Sequence, residues 1–135
     1  MTKDQYYLEI AKTVSTRGTC VKQLCGSVIV NNDTIISTGY NGAPRGERHC
    51  GEAGCNEENG HCQRAVHSEL NSILQAAKHG SKTDGGTIYS THFPCVHCVK
   101  AAINAGIVEI KYGKPYKNSD NFMEMVNIKV TEIGK

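Results

Sequence analysis

The chain has 135 residues, enough for one domain, 1–135, that buries about two-thirds of its surface. Its 39% hydrophobic and 21% charged residues are ordinary for a soluble globular protein, and no apolar run approaches a membrane span. A net charge of +2 is too small to mark a nucleic-acid binder. Seven cysteines are many for this length, and the number is odd. The polar start Met1-Thr2-Lys3-Asp4-Gln5 has no signal-peptide core. A cytoplasmic setting is therefore expected, in which thiols bind metal rather than pair as disulfides.

In chain order, the spacing of Tyr7, Leu8, Ala11 and Val14 predicts a helix from Asp4 to about Ser15, with Gly18 beyond its end. A short polar connection, Thr19–Leu24, carries Cys20 and Lys22. Gly26–Val30 and Thr34–Thr38 then read as an antiparallel hairpin, because Asn31-Asn32-Asp33 supplies residues that tolerate positive φ. Gly39-Tyr40-Asn41-Gly42-Ala43-Pro44-Arg45-Gly46 reads as a shaped loop. It either offers backbone N–H groups to an anion beside Arg45 or is plain surface. Glu47–Gln63 is long, polar and without periodicity, and a loop of this length needs something to hold it. A second, structural zinc would do so, with Cys50 and Cys55 joined by Cys62 or His61 and by the distant Cys20; the alternative is a loop of free thiols.

The next two segments carry the chemistry. Val66, Leu70, Ile73, Leu74 and Ala77 predict an amphipathic helix from Val66 to about His79, closed by Gly80, with His67 and Glu69 in its first turn. Two apart on a helix, they point in different directions, so one can bind a metal while the other leans over the site. Thr87–Phe93 reads as a strand stopped by Pro94. A helix then runs from Cys95 to Ala105, with Val99, Ala102 and Ile103 inward and Gly106 at its end. Cys95 and Cys98 both reach one ion from that helix start, where backbone N–H groups and the macrodipole favour thiolates. Ile107–Tyr112 is another strand, and the strand–helix–strand order implies a parallel, right-handed crossover. Pro115-Tyr116 lies where open α/β sheets place ligands, so Tyr116 is either a substrate contact or ordinary surface. Ser119–Met125 reads as a short helix and Asn127–Ile133 as the last strand, which makes five.

His67, Cys95 and Cys98 leave zinc a fourth position, the catalytic rather than the structural arrangement. A water there has its pKa lowered from about 15.7 to about 7. Glu69, not itself a ligand, is free to move that water's proton. Alone, a Cys-x-x-Cys is often a redox pair or half of a structural site, and a lone His-x-Glu carries almost no information. Together, in this order and each at a helix start, they point to an open zinc site.

With these pieces placed, the chain resembles the zinc-dependent cytidine deaminase superfamily, and within it the deoxycytidylate (dCMP) deaminases. The resemblance covers most of the chain: Arg17-Gly-Thr-Cys20, Gly39-Tyr-Asn-Gly-Ala-Pro-Arg-Gly46, His61-Cys-Gln-Arg-Ala-Val-His-Ser-Glu-Leu-Asn-Ser-Ile-Leu74, Thr91-His-Phe-Pro-Cys-Val-His-Cys98 and Ala105-Gly-Ile107. It implies a three-layer α/β/α fold on a five-stranded mixed sheet. It also implies hydrolysis of dCMP to dUMP and ammonia, which supplies the precursor of dTMP. His67, Cys95 and Cys98 would hold zinc, and Glu69 would carry the proton from water to N3 of the cytosine and then help ammonia leave. Asn41 matches an Asn that contacts the nucleotide, Lys22 falls where relatives carry an Arg near the 5′-phosphate, and Tyr116 matches an aromatic residue there. The backbone N–H of Ser68 is expected to meet the pyrimidine O2. Many relatives are homohexamers, activated by dCTP and inhibited by dTTP near the loop that here holds Asn41, Gly42, Arg45 and Gly46.

The chain departs from the family in four places. Ser68 stands where the motif usually has Ala. Lys22 for Arg exchanges a planar two-point phosphate grip for a point charge. Cys25 and Ser27 stand where relatives favour Val and Ala. The competing readings are a tRNA adenosine or free-base deaminase with the same chemistry, and a zinc-stabilised module that binds nucleotides or partners without turnover. Near-neutral charge weighs against the tRNA substrate and Glu69 against the inert module.

Overall fold

The computed structural model describes residues 1–19, 23–48, 57–58, 61–62, 65–115 and 127–133, with the side chains of 57–58 and 61–62 left aside. Helix α1 (Lys3–Ser15) opens with a capping box: Thr2 Oγ1 accepts from Gln5 N–H, and Gln5 Oε1 accepts from Thr2 N–H. Strands β1 (Gly26–Asn31) and β2 (Thr34–Tyr40) form the expected hairpin. Asn32 and Asp33 both sit at positive φ, 52° and 57°, as a type I′ turn requires. Strand β2 continues through Gly39 and Tyr40, so the loop expected from Gly39 begins at Asn41.

Within the segment read as an unstructured loop lie two short antiparallel strands, β3 (Glu57–Glu58) and β4 (His61–Cys62). Helix α2 (Ser68–His79), strand β5 (Thr87–His92), helix α3 (Val96–Asn104), strand β6 (Glu109–Lys114) and strand β7 (Lys129–Glu132) complete the order. β6 starts two residues later than its apolar run suggested. Ile107 is buried in the turn that precedes it, so burial there is not strand pairing. The expected helix at Ser119–Met125 lies outside the described residues.

The five-stranded sheet has the order β2-β1-β5-β6-β7. β1 is antiparallel to β2 and β5, while β5, β6 and β7 are parallel, which makes the sheet mixed. Strand alternation divides the core between its two faces. Val28, Val30 and Tyr89 meet Tyr7 and Ala11 of α1 on one side. Ile29, Ile88 and Ile110 meet Val99 and Ala102 of α3 on the other, with Ile73 of α2 packed against them. That is the three-layer α/β/α arrangement. Among the described residues, no helix is long and apolar enough to cross a membrane.

The burial of α2 corrects the sequence reading. The stripe Leu70, Ile73, Leu74 and Ala77 is not the buried face, since Leu74 is 48% exposed and Ala77 is exposed too. Ser68, Glu69, Ser72 and Ala76 are buried instead. Beneath them a row of small residues crosses three strands in register, Gly39 of β2 opposite Ser27 of β1, and Ser27 opposite Ser90 of β5. A Cβ at Gly39 would lie under 3.0 Å from both Ser72 N and Ser68 O. Ser27 Oγ donates to Ser68 O (2.8 Å) and Ser37 Oγ to Ser72 O (2.5 Å). The helix is thus held close to the sheet by small polar residues, a contact that apolar periodicity does not register.

At the opposite face, Asp4 ties α1 to the sheet. Its carboxylate accepts from Tyr89 Oη (2.6 Å) and from Lys111 Nζ (2.9 and 3.1 Å). Burial works against its charge, but the Tyr89 and Lys111 hydrogen bonds and the lysine's charge hold its pKa below the usual carboxylate value. A lowered folded-state pKa means stability that is present above the unfolded value and lost as pH falls through the folded one. Asp4→Asn should therefore cost about 1–2 kcal/mol at pH 7, discounted for partial exposure. The gap from wild type should close below about pH 4 in urea titrations. Gly39→Ala should be harsher, costing about 2 kcal/mol or more by prying α2 from the sheet. The same titrations, with far-UV circular dichroism confirming the fold, measure it.

Candidate active site

Two helix starts build the site. Val66 is not part of α2. It forms an antiparallel bridge with Gly42, Val66 N–H to Gly42 O (2.7 Å) and Gly42 N–H to Val66 O (3.2 Å). His67 is accordingly the N-cap, with extended backbone (φ −65°, ψ 151°), rather than a first-turn residue. The correction matters because an N-cap side chain projects off the helix end, while Ser68 and Glu69 turn into the protein. Asn71 Nδ2 donates to Tyr40 O (2.9 Å), which pins the same turn to the end of β2.

α3 repeats the arrangement. Cys95 is its N-cap, also extended (φ −75°, ψ 163°), and Cys98 lies one turn in, buried. Pro94 ends β5 and supports this geometry by keeping the chain out of helix. Cys95 Sγ lies 3.3 Å and Cys98 Sγ 3.6 Å from His67 Nδ1. The three ligand atoms all fall within 4.8 Å of one another. Zinc bonds of about 2.3 Å to sulfur and 2.0–2.1 Å to nitrogen in a tetrahedron put neighbouring ligand atoms about 3.6 Å apart. These residues fit the ion. The thiols already differ: Cys95 is made more acidic by hydrogen bonding from Cys98 and from His67, against its own burial. Cys98 is pushed the other way by serving as that donor and by burial.

Glu69 is 6% exposed. Its Oε2 accepts from Ser90 Oγ (2.9 Å) and its Oε1 from Ser68 Oγ (3.1 Å). Burial raises its pKa, and hydrogen bonds from its own N–H and Ser90, with the charge of His67, pull it partly back. A carboxyl under such opposing influences has the chemistry to take up a proton and return it. Sequence reasoning missed Ser90. The signal was available in strand alternation, which puts it on the same face as Ile88, under the motif helices.

The other expected contacts are less tightly gathered. Asn41 is buried, and its side chain serves the chain itself, with Oδ1 accepting from Cys25 N–H (2.9 Å) and Nδ2 donating to Gln23 O (2.6 Å). Gly42 reaches the metal helix through the bridge to Val66, Gly46 sits at φ 84°, and Arg45 is exposed. Cys20, Lys22, Cys50, Cys55 and Tyr116 lie outside the described residues, as do the side chains of His61 and Cys62. Among the described residues, His67, Cys95 and Cys98 are the one cluster able to hold a metal.

Known proteins share this arrangement. The family described as "Cytidine and deoxycytidylate deaminase zinc-binding region" matches residues 1–114. ComE operon protein 2 of Bacillus subtilis is 39% identical over 122 residues, covering 90% of this chain and 65% of that protein. The deoxycytidylate deaminase of Saccharomyces cerevisiae is 30% identical over 135 residues, covering 95% of this chain and 43% of its own length. The chain thus spans less than two-thirds of these two relatives. The crystal structure of the dCMP deaminase from cyanophage S-TIM5 with dCMP and dUMP superposes with a TM-score of 0.83. It is 27% identical and covers 96% of this chain and 95% of that one.

Replacing His67 with Ala should remove one equivalent of zinc per chain relative to wild type, because two thiolates alone leave the ion underliganded. Elemental analysis of protein purified without chelator checks this. An unchanged zinc content would place the ion elsewhere.

Proposed function

Because the chain belongs to the cytidine and deoxycytidylate deaminase zinc-binding family, we propose that it is a hydrolase that converts dCMP to dUMP and ammonia, supplying the precursor of dTMP. The observation that carries this reading is the buried Glu69 carboxyl two residues beyond His67, beside the His67, Cys95 and Cys98 cluster. When bound, zinc supplies a Lewis acid that lowers the pKa of a water to about 7. Glu69 takes a proton from the attacking water and delivers it to N3 of the ring. It then helps carry a proton to the C4 amine, which leaves as ammonia. The N-cap His67 makes no side-chain cap to α2, so the Ser68 N–H is suited to the pyrimidine O2.

The choice of dCMP within the family rests on the yeast and cyanophage relatives that bear that activity in their names. In this reading Lys22 and Tyr116 receive the 5′-phosphate end. Asn41 lines the nucleotide side of the site as a shaped support, its amide bracing Gln23 and Cys25. The loop with Asn41, Gly42, Arg45 and Gly46 takes dCTP and dTTP at a boundary between copies of a hexamer. A second zinc on Cys20, Cys50, Cys55 and either His61 or Cys62 orders the insertion, and the enzyme works in the cytoplasm without nucleic acid.

Purified zinc-loaded protein should deaminate dCMP with kcat/KM at least about tenfold above deoxycytidine, since a phosphate contact is a charge-assisted one. Equal processing of the nucleoside would overturn the phosphate-reading assignment. Glu69→Gln should keep its zinc and lose turnover by roughly 10²–10⁴-fold. Ammonia release and elemental analysis on the same preparations measure both.

A further inference from the structure

We propose that Ser90 and Ser68 are positioning residues for the carboxylate of Glu69, each hydroxyl fixing one of its two oxygens. The inference rests on the deaminase reading above for its chemistry, and on geometry for its residues. Each oxygen of Glu69 has its own hydroxyl, Oε1 that of Ser68 at 3.1 Å and Oε2 that of Ser90 at 2.9 Å. Both serines are fully buried, so water does not substitute for either hydroxyl.

Ser90 is the more informative of the two. Its oxygen lies 2.9 Å from Glu69 Oε2 and also 2.9 Å from the carbonyl of His92. A hydroxyl has one proton to donate and lone pairs to accept with. The same hydroxyl thus ties the Glu69 carboxylate to the end of β5, and its loss would leave a buried oxygen without that partner, which is costly in a dry site.

Ser27 completes the support from below. It lies opposite Ser90 across β1 and β5, and donates to Ser68 O at 2.8 Å. Ser72 Oγ donates to the carbonyl of Glu69 itself (2.7 Å), which ties down the backbone that carries the carboxylate. Two of these serines, Ser27 and Ser68, stand at positions where the resemblance leads one to expect alanine.

The test uses zinc-loaded full-length protein and the variants Ser90→Ala, Ser90→Thr and Ser68→Ala. Ser90→Ala should lower kcat on dCMP by about tenfold to hundredfold, as expected for one hydrogen bond to a charged group. KM should stay within about twofold and zinc content should not change. Ser90→Thr, which keeps the hydroxyl, should recover most of the loss, with melting temperatures reporting whether its extra methyl is accommodated. Ser68→Ala should produce a smaller drop in kcat of the same kind. Crystal structures of the loaded wild type and Ser90→Ala give a readout that does not need turnover: the Glu69 carboxylate should be single in the first and rotated or split in the second. An undisturbed carboxylate in Ser90→Ala overturns the proposal whatever the substrate is. So does a kcat loss in Ser90→Ala that Ser90→Thr fails to restore at unchanged melting temperature. If wild type leaves dCMP untouched while Glu69 still shifts in Ser90→Ala, the positioning role stands and the substrate assignment falls.

Discussion

The close approach of α2 to the sheet is the constraint on which the site depends. Glu69 is on the inner face of that helix, and it is buried only because Gly39, Ser27 and Ser90 beneath it are small. A larger residue at Gly39 would meet the backbone of Ser68 and Ser72, tilting the first turn outward. The same tilt would carry His67, the N-cap of that turn, away from Cys95 and Cys98. The proposed metal grip and proton transfer would therefore share one packing requirement, met by residues assigned neither role. Small side chains alone would leave polar backbone buried without partners. The serines answer this by donating to the carbonyls of Ser68, Glu69 and Ser72.

What was legible in the sequence follows from which physical signals are local. The hairpin was readable because only a few residue types tolerate the positive φ of Asn32 and Asp33. The candidate metal ligands were readable because one imidazole and two thiols at fixed spacing from two helix starts are seldom coincidental, and the structure brings the sulfurs to 3.3 and 3.6 Å from His67 Nδ1. The inner face of α2 was not readable by the same means. Its apolar residues, Leu70, Ile73 and Leu74, follow helical spacing, but Leu74 ends up largely exposed while Ser68 and Ser72 go inside. Hydrophobic periodicity measures transfer to oil, and it is blind to a helix whose inner face is chosen for thinness and hydrogen bonding. The start of β6 was misplaced for a related reason, since Ile107 earns its burial by filling the space under α3 before the strand begins.

Asn41 shows a different limit. A residue type suited to contacting a nucleotide is equally suited to bracing a turn, and its amide here bonds the backbone at Gln23 and Cys25 while its own carbonyl accepts from Thr19 N–H. Both uses can hold at once. Asn41 thus fixes Thr19, Gln23 and Cys25, and the bridge from Gly42 to Val66 ties the same loop to the helix that begins at His67. A motif residue can thus support ligand binding through the backbone it organises.

Electrostatics give a reason for building the site from two N-caps. A zinc ion held by two thiolates would be neutral overall, and the ionised Glu69 carboxylate would then give the cluster a net negative charge in a buried place. Burial alone pushes that carboxyl toward its protonated form. Each helix N-terminus contributes roughly half a positive charge along its axis, and α2 and α3 both begin at this cluster. The two together are of the size needed to balance one carboxylate. They do so without introducing a cationic side chain that would pair with Glu69 and hold its proton off permanently. Serine hydroxyls serve the same end, because they stabilise the ionised form by hydrogen bonding yet release it readily. Burial and hydrogen bonding thus pull the carboxyl in opposite directions, which is what a group asked to accept a proton from water and then surrender it would need.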